Sequence, residues 1–441
     1  MIVDSYRRTL TFYLLAIILV ASVAYDTVPL QINDGLQRAL AALMAGCTAL
    51  VLFIQRYSTK DLARTLVSGW PLHVYSLAFV TLCVTVHGGS KLSQVIAYTY
   101  FAYATYLFVP MILKVDQPVF HSFLKVIAVV SALMAIPSFF GAVGFSSLAG
   151  IPLRVKPSYA EFSGIIASAG IFEHAEGHAL QMGIGMLCAI YLLQYSGRVV
   201  YLICLVMTTA GLVVSQGRAA IYGIGVAVVF HVLPNLFHRS RILFFGTLIV
   251  LLTFPYFILP QLGNLPGVSG YLRLERGLSG REEAWDFALY AARQKPWTGH
   301  GFMASTALTE IEQKTLRKSG FSGAGTTFHN TFITKAVDLG FIATFLYTLL
   351  YLVPLSRLCG QSKRLLEVDL LRNMLLLVLT ASIYRDYNIG GVRSTAMISS
   401  IFIGLACLWQ SIDKRGHTLD VHADISEAAE SPVCKLAHSA I

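Results

Sequence analysis

Arg218 closes the sequence Ser215-Gln216-Gly217-Arg218, and Arg385 and Arg393 bracket Asp386-Tyr387-Asn388-Ile389-Gly390-Gly391-Val392, each beside a long apolar run. A planar guanidinium with five N–H donors suits phosphate recognition. It equally suits a membrane interface, where arginine reaches for lipid headgroups, so singly these residues leave both accounts open. Several arginines meeting on one face favour phosphate. Arg281 stands in Ser279-Gly280-Arg281-Glu282, which fits a capping box, and Trp285, Leu289 and Ala292 recur at helical spacing until Pro296 stops the run. The pattern predicts a short amphipathic helix on the membrane face, with Arg281 in a first turn whose backbone N–H groups favour an anion. The plainer alternative pairs Arg281 with Glu282, Glu283 or Asp286. Pro296-Trp297-Thr298-Gly299-His300-Gly301-Phe302 reads as a turn with conformational glycines. His329, in Thr326-Thr327-Phe328-His329-Asn330-Thr331-Phe332, sits at the N-terminal mouth of an apolar helix. The helix dipole there disfavours imidazolium and leaves a neutral ring able to accept a proton. A structural hydrogen-bonding role is the other reading, and His73, His87, His174 and His178 offer the same chemistry.

The elements that must position these residues are membrane spans. Of 441 residues 56% are apolar and 13% charged, whereas a soluble enzyme carries about 25% charged residues. The chain is an integral membrane protein. Its +10 formal charge points to nucleic acid, an anionic membrane or an anionic substrate, and nucleic acid fits this composition least. A bilayer core takes about 20 apolar residues per helix. Uncharged runs of that length fall near 10–28, 36–54, 71–87, 95–113, 123–144, 178–195, 199–214, 219–234, 242–260, 331–353, 368–384 and 394–411, which predicts an all-α fold of about twelve spans. The first run is too long, and lacks the cleavage site, for a signal peptide.

Basic residues are retained on the cytoplasmic side. One set of span ends carries Arg7, Arg8, Arg56, Lys60, Arg64, Lys114, Arg198, Arg239, Arg241, Arg357, Lys363, Arg364, Lys414 and Arg415, so those ends and both termini are placed in the cytoplasm. The division is then 1–260, nine spans with an outside loop near 145–177; 261–330, a large outside loop containing short helices; 331–412, three spans; and 413–441, a polar tail that reads as disordered. The seven cysteines, Cys47, Cys83, Cys188, Cys204, Cys359, Cys407 and Cys434, show no metal or redox spacing and avoid the outside loops. Free thiols and no zinc are expected. There is no tandem repeat.

The order Arg281…Trp285…Pro296-x-x-Gly299-x-Gly301…His329-Asn330…Gly340, between two late spans, resembles the O-antigen ligase and polymerase superfamily of bacterial envelope glycosyltransferases. The motifs cover about residues 200–355; His-Asn opening the span after the large loop is the most specific, and the stretch ending at Arg218 is similar to an upstream arginine motif of that family. The resemblance implies a type-C-like fold in the bacterial inner membrane with a periplasmic site. It implies inverting, metal-independent transfer of a glycan from an undecaprenyl-diphosphate donor, with no cofactor. In the ligase branch the acceptor is the lipid A–core of lipopolysaccharide. Arg218, Arg281 and His329 match its functional positions, the arginines for the leaving diphosphate and His329 as base for the acceptor hydroxyl. Arg385, Arg393, Asn330, Trp285 and His300 are candidates for substrate contacts, with membrane lipids as further partners.

Asp26 and Asp34 are eight apart with no outside Asp-x-Asp, so a metal is not expected. The ligase reading leads because the large loop is single, compact and basic, which suits a phosphorylated acceptor. An O-antigen or exopolysaccharide polymerase uses the same donor chemistry and differs little in motif. A protein-glycosylating ligase of this superfamily tends to carry a further soluble domain, for which 413–441 is too short. A lipid-linked sugar transporter predicts ionisable residues at mid-membrane depth and broken gating helices, whereas the clearest charges here lie at outer span ends.

Overall fold

In lipid every backbone N–H and C=O must be paired within the protein, and helices do this segment by segment. The computed structural model describes residues 2–27, 34–54, 59–89, 91–156, 166–232, 241–262, 281–308, 328–359, 365–387, 389 and 391–412. The helices are α1 (Ile2–Tyr25), α2 (Asp34–Ile54), α3 (Thr59–Ser68), α4 (Trp70–Thr81), α5 (Leu92–Tyr103), α6 (Val109–Val115), α7 (Gln117–Ala142) and α8 (Ala175–Ser196). There follow α9 (Val199–Ser215), α10 (Arg218–Val232), α11 (Arg241–Leu262), α12 (Arg281–Gln294), α13 (Thr331–Leu358), α14 (Leu366–Tyr384) and α15 (Ser394–Ile412). A π-turn, Ala104–Phe108, joins α5 to α6, and another, Leu82–Val86, extends α4. Local chemistry sets many of these bounds. Pro71 and Pro118 sit in first turns, where a missing N–H costs nothing. Asp116 accepts from Val119 N at 3.4 Å to open α7, and Asn330 caps α13.

Among the described residues six spans are long and apolar enough to cross a membrane: α1, α2, the α5–α6 unit, α7, α8 and α13. A seventh is α3 with α4, if that pair, bent by 65°, is one span. Shorter apolar helices are Val199–Ser215, Arg218–Val232, Ile242–Thr253 and Ser394–Trp409. The chain is thus a multi-pass helical membrane protein. The all-α expectation needs one amendment, because after α7 the chain folds into two antiparallel hairpins. These are β1 (Ser147–Leu148) with β2 (Ile151–Pro152), and β3 (Arg154–Lys156) with β4 (Ala167–Gly170). Strand β3 alternates exposed, half-buried, exposed, while the small residues of β4 are all buried. Hairpin pairing gives this excursion backbone partners that no neighbouring helix supplies.

Helices α7, α8, α9, α10 and α14 pack in succession, and α13 and α15 cross the other side of the bundle. The core is one contiguous apolar cluster, from Leu14 in α1 to Trp409 in α15. At one end of the bundle cations close the last span: Lys114 Nζ donates to Leu408 O at 2.7 Å and also to Trp409 O, and Arg357 donates to Cys407 O at 2.5 Å. Positive charge at the C-terminus of α15 meets the negative end of its dipole. Arg8 pairs with Asp116 at 3.0 Å at that same end. The six described cysteines are buried and form no disulfide; Cys434 and the tail from 413 lie outside the described residues.

Helix α13 is broken at Gly340, where φ is 81° and ψ 173°. The Pro296–Phe302 loop docks into the break: His300 N donates to Val337 O at 2.8 Å, Gly301 N to Asp338 O at 2.9 Å, and Phe341 N to Pro296 O at 2.7 Å. Backbone meets backbone here without side chains between. A Cβ on Gly299 would lie 2.3 Å from Asp338 O, and one on Gly340 2.6 Å from Trp297 O. Asp338 accepts from Ser305 N at 2.8 Å, and the buried Lys335 lies over the rings of Tyr98 and Tyr347, at 5.2 and 5.6 Å. The glycines read as a conformational turn therefore form a clasp between loop and span.

Candidate active site

Helix α12 starts at Arg281 and ends at Gln294, two residues before Pro296. Its packed face differs from the expected Trp285, Leu289, Ala292 stripe. Ala284, Ala288, Ala291 and Ala292 bury against Phe328, Ala336 and Val337, whereas Leu289 is half-buried. Small side chains let α12 approach the first half of α13 closely. Trp285 points to the neighbouring face and joins Ala219 of α10 and Tyr384 of α14 in a separate cluster. Its indole N–H donates to Phe328 O at 2.6 Å.

Those three contacts gather the candidate residues. Ala219 follows Arg218, Tyr384 precedes Arg385, and Phe328 precedes His329. Arg281 opens α12, four positions before Trp285; its side chain lies outside the described residues. The turn leading into Arg218 lies on α8: a Cβ on Gly217 would meet Ala179 Cβ at 2.2 Å, and Glu176 Cα is 3.6 Å away. Elements far apart in sequence thus meet at one tryptophan, and Arg218, Arg385 and His329 each adjoin in sequence a residue that touches it.

His329 is the residue before the cap of α13, in left-handed backbone with φ 51°. Asn330 Oδ1 accepts from Phe332 N at 2.9 Å and Ile333 N at 3.0 Å, so its side chain is used in starting the helix. Arg385 reaches two partners, Glu176 Oε2 at 3.0 Å and His329 Nδ1 at 3.2 Å. Burial opposes the Arg385 charge, but Glu176, Tyr387 and Asp386 outweigh it and hold its pKa above the ordinary arginine value. The turn carrying it is fixed on α13: Thr331 Oγ1 donates to Arg385 O at 2.8 Å and accepts from Tyr387 N at 2.8 Å. Tyr387 Oη donates to Glu176 O at 3.1 Å.

Arg393 is half exposed and faces carboxylates, Glu173 at 3.5 Å and Asp26 at 4.0 Å. Asp26 accepts from Ser394 N at 2.8 Å and Ser394 Oγ at 2.5 Å, tying the end of α1 to the start of α15. Burial raises the Asp26 pKa, against the Ser394 hydrogen bonds and the Arg393 charge. His174 is pushed down to about 4, by burial first and then by the Arg385 cation, so it is neutral beside Glu173, 3.2 Å away. Glu173 and His174, with Arg154 and Lys156 of β3, line a cleft of about 310 Å³.

His300 stands apart from the His329 group. Its Nε2 bonds Ala291 O at 2.8 Å, which ties the clasp loop to α12. The sequence reading missed Glu176, Glu173 and His174 as a group; lone acidic residues at the start of a span carry no local pattern, and 209 positions separate Glu176 from Arg385. Among the described residues no three His, Cys, Asp or Glu side chains converge as a metal centre would require.

Fold and site together define a multi-pass membrane protein with arginines and histidines gathered where span ends meet. Residues 202–348, one third of the chain, match the model of the O-antigen ligase family. The matched stretch runs from α9 to the middle of α13 and so contains Arg218, Arg281, Trp285 and His329. The chain is also similar to the exopolysaccharide production protein ExoQ of Rhizobium meliloti (strain 1021), 33% identical over 109 residues. That alignment covers 24% of this chain and 24% of the relative, so the chain spans about a quarter of the length of the curated relative it matches.

Proposed function

We propose that this protein is a metal-independent, inverting glycosyltransferase that moves a glycan from an undecaprenyl-diphosphate carrier to the lipid A–core of lipopolysaccharide at the periplasmic face of the bacterial inner membrane. Twelve spans with both termini in the cytoplasm are part of this reading. It is supported by the placement of Arg8, Lys114 and Arg357 at one end of the bundle, with His329 at the start of the helix that Arg357 ends. The observation that carries the proposal is the contact of Arg385 with His329 at the cluster where Trp285 meets Ala219 and Tyr384, the neighbours of Arg218 and Arg385, and where its indole holds the carbonyl before His329. Guanidinium groups stabilise the charge that develops on a departing diphosphate. His329 takes the proton of the acceptor hydroxyl as that oxygen attacks the anomeric carbon. A single displacement inverts the configuration there.

A second reading is an exopolysaccharide or O-antigen polymerase, in which a second donor molecule is the acceptor; the similarity to an exopolysaccharide production protein favours it. The test is incubation of purified protein with undecaprenyl-diphosphate glycan, a chelator, and either lipid A–core or further donor alone. The expected result is glycosylated lipid A–core of inverted linkage. Chain extension without lipid A–core selects the polymerase. Activity restored only by added magnesium or manganese removes metal independence, and no product from either acceptor supports a transporter.

A further inference from the structure

The contact between Arg385 and His329 fixes more than position. A guanidinium carries N–H donors and no acceptor, so in the 3.2 Å contact Nδ1 of His329 must accept. Nδ1 then holds a lone pair, and the neutral ring carries its hydrogen on Nε2. An imidazolium, protonated on both nitrogens, cannot make this bond. The arrangement therefore selects one protonation form of three. In that form Nε2 cannot accept a proton, and the lone pair of Nδ1 is engaged.

The anchoring of Arg385 makes the engagement reversible at one point only. Its backbone is held by Thr331, and its guanidinium by Glu176, which stands in the first turn of α8 with its own carbonyl bonded to Tyr387. The charged and titratable groups around the guanidinium are Glu176 and His174 from the start of α8, and Asp386 and Tyr387 from its own turn. Glu176 and Asp386 hold Arg385 charged whether or not it touches the imidazole. Its bonds to imidazole and to an anion are both charge-assisted, but only the anion adds attraction between opposite charges. A diphosphate arriving beside Arg218 and Arg281 therefore outcompetes the imidazole for the guanidinium.

We propose that Arg385 is a positioning residue shared between His329 and the diphosphate of the donor, so that donor binding releases the Nδ1 lone pair and only then makes His329 a base. This rests on the reading of His329 as the base in glycan transfer. In the step that follows, the acceptor O–H bond breaks and its proton passes to Nδ1, giving an imidazolium. The oxygen bonds to the anomeric carbon, and the carbon–oxygen bond to diphosphate breaks, its electron pair leaving with the diphosphate. Without donor, Arg385 keeps the base engaged.

The test is nitrogen NMR of full-length protein labelled on the histidine ring nitrogens, with His329 assigned by its absence in His329→Gln. Undecaprenyl diphosphate without glycan serves as the probe, its binding followed separately by calorimetry. In resting protein, His329 should show Nε2 protonated and Nδ1 as a hydrogen-bonded acceptor. Saturating probe should shift Nδ1 to the position of a free lone pair. Arg385→Gln should give mixed tautomers that the probe leaves unchanged, and Arg385→Lys an intermediate pattern. A resting Nδ1–H form overturns the proposal, as does an unchanged Nδ1 signal in wild-type protein shown to bind the probe. Turnover is scored independently: His329→Gln with wild-type turnover removes the base reading, whereas an inactive His329→Gln with an unresponsive wild-type spectrum removes only the sharing of Arg385.

Discussion

At the scale of single residues, charge and geometry separate at Arg218 and Arg281. Lysine keeps the charge but not the planar fork. Both Arg→Lys variants should insert and purify normally yet lose about 10²-fold or more in turnover, the size of effect seen when one preorganised donor is removed. Undiminished turnover in the lysine and alanine variants alike would reduce both residues to headgroup anchors. Trp285→Phe keeps a ring in the Ala219–Tyr384 cluster but leaves the buried Phe328 carbonyl without its donor. An unsatisfied buried group costs about 1–3 kcal/mol, so both thermal midpoint and turnover should fall. His174 gives a pH dependence. It titrates near 4 in the fold against about 6.5 in an unfolded chain, so the unfolded state takes the proton first. Its contribution is complete above the unfolded value and is lost as pH falls toward the folded one. His174→Gln should flatten the decline in thermal midpoint between pH 7 and pH 5 (about the upper part of that window); an equal decline in both proteins contradicts the assignment. Residue identity was only partly legible beforehand. Arg218, Arg281 and His329 stand out because their types are rare beside apolar runs. Glu176 does not, since its meaning lies in an arginine brought to it by tertiary packing.

At the scale of elements, helix existence could be read and helix rotation could not. Apolar run length located helices along the described chain, and Pro296 follows the end of α12 by two residues, while the Ser279–Gly280 part of the capping box lies outside the described residues. The alanine face of α12 escaped notice because alanine looks neutral in a hydrophobic pattern, yet it permits the closest helix approach. The clasp is the sharpest elemental test. Gly299→Ala and Gly340→Ala each place a Cβ within 2.3–2.6 Å of backbone atoms at positive φ, whereas Gly246 has nothing within 4 Å. Strain of this kind costs about 1–3 kcal/mol from the backbone alone, before any steric clash. Both variants should give little monodisperse protein in detergent, with Gly246→Ala close to wild type. Normal yield and melting of Gly340→Ala would show that loop and span do not meet in this way.

At the scale of the whole molecule, topology decides whether the site faces the proposed substrates. Cysteines introduced at Trp297, which is 66% exposed, and at the exposed Arg198 lie at opposite ends of the bundle. In a cysteine-free background, an impermeant thiol reagent applied to intact spheroplasts should label the first and not the second. The reverse pattern inverts the orientation and removes the periplasmic site. Charge bias in short loops is the ground for expecting this orientation, because retention of lysine and arginine is a property of insertion and not of packing. The hairpins after α7 were not legible, their strands being too short to impose a period.

The broken span also constrains the order of biosynthesis. The Pro296–Phe302 loop leaves the ribosome before α13, so the carbonyls of Val337 and Asp338 that receive its N–H groups do not yet exist when it crosses the bilayer. In the proposed orientation the loop waits on the far side with those groups hydrated, and the first half of α13 arrives next to an already translocated partner. A nascent chain arrested before Gly340 would therefore expose the loop to protease, and one released beyond it would protect it, which makes the clasp a built-in marker of when this span is home.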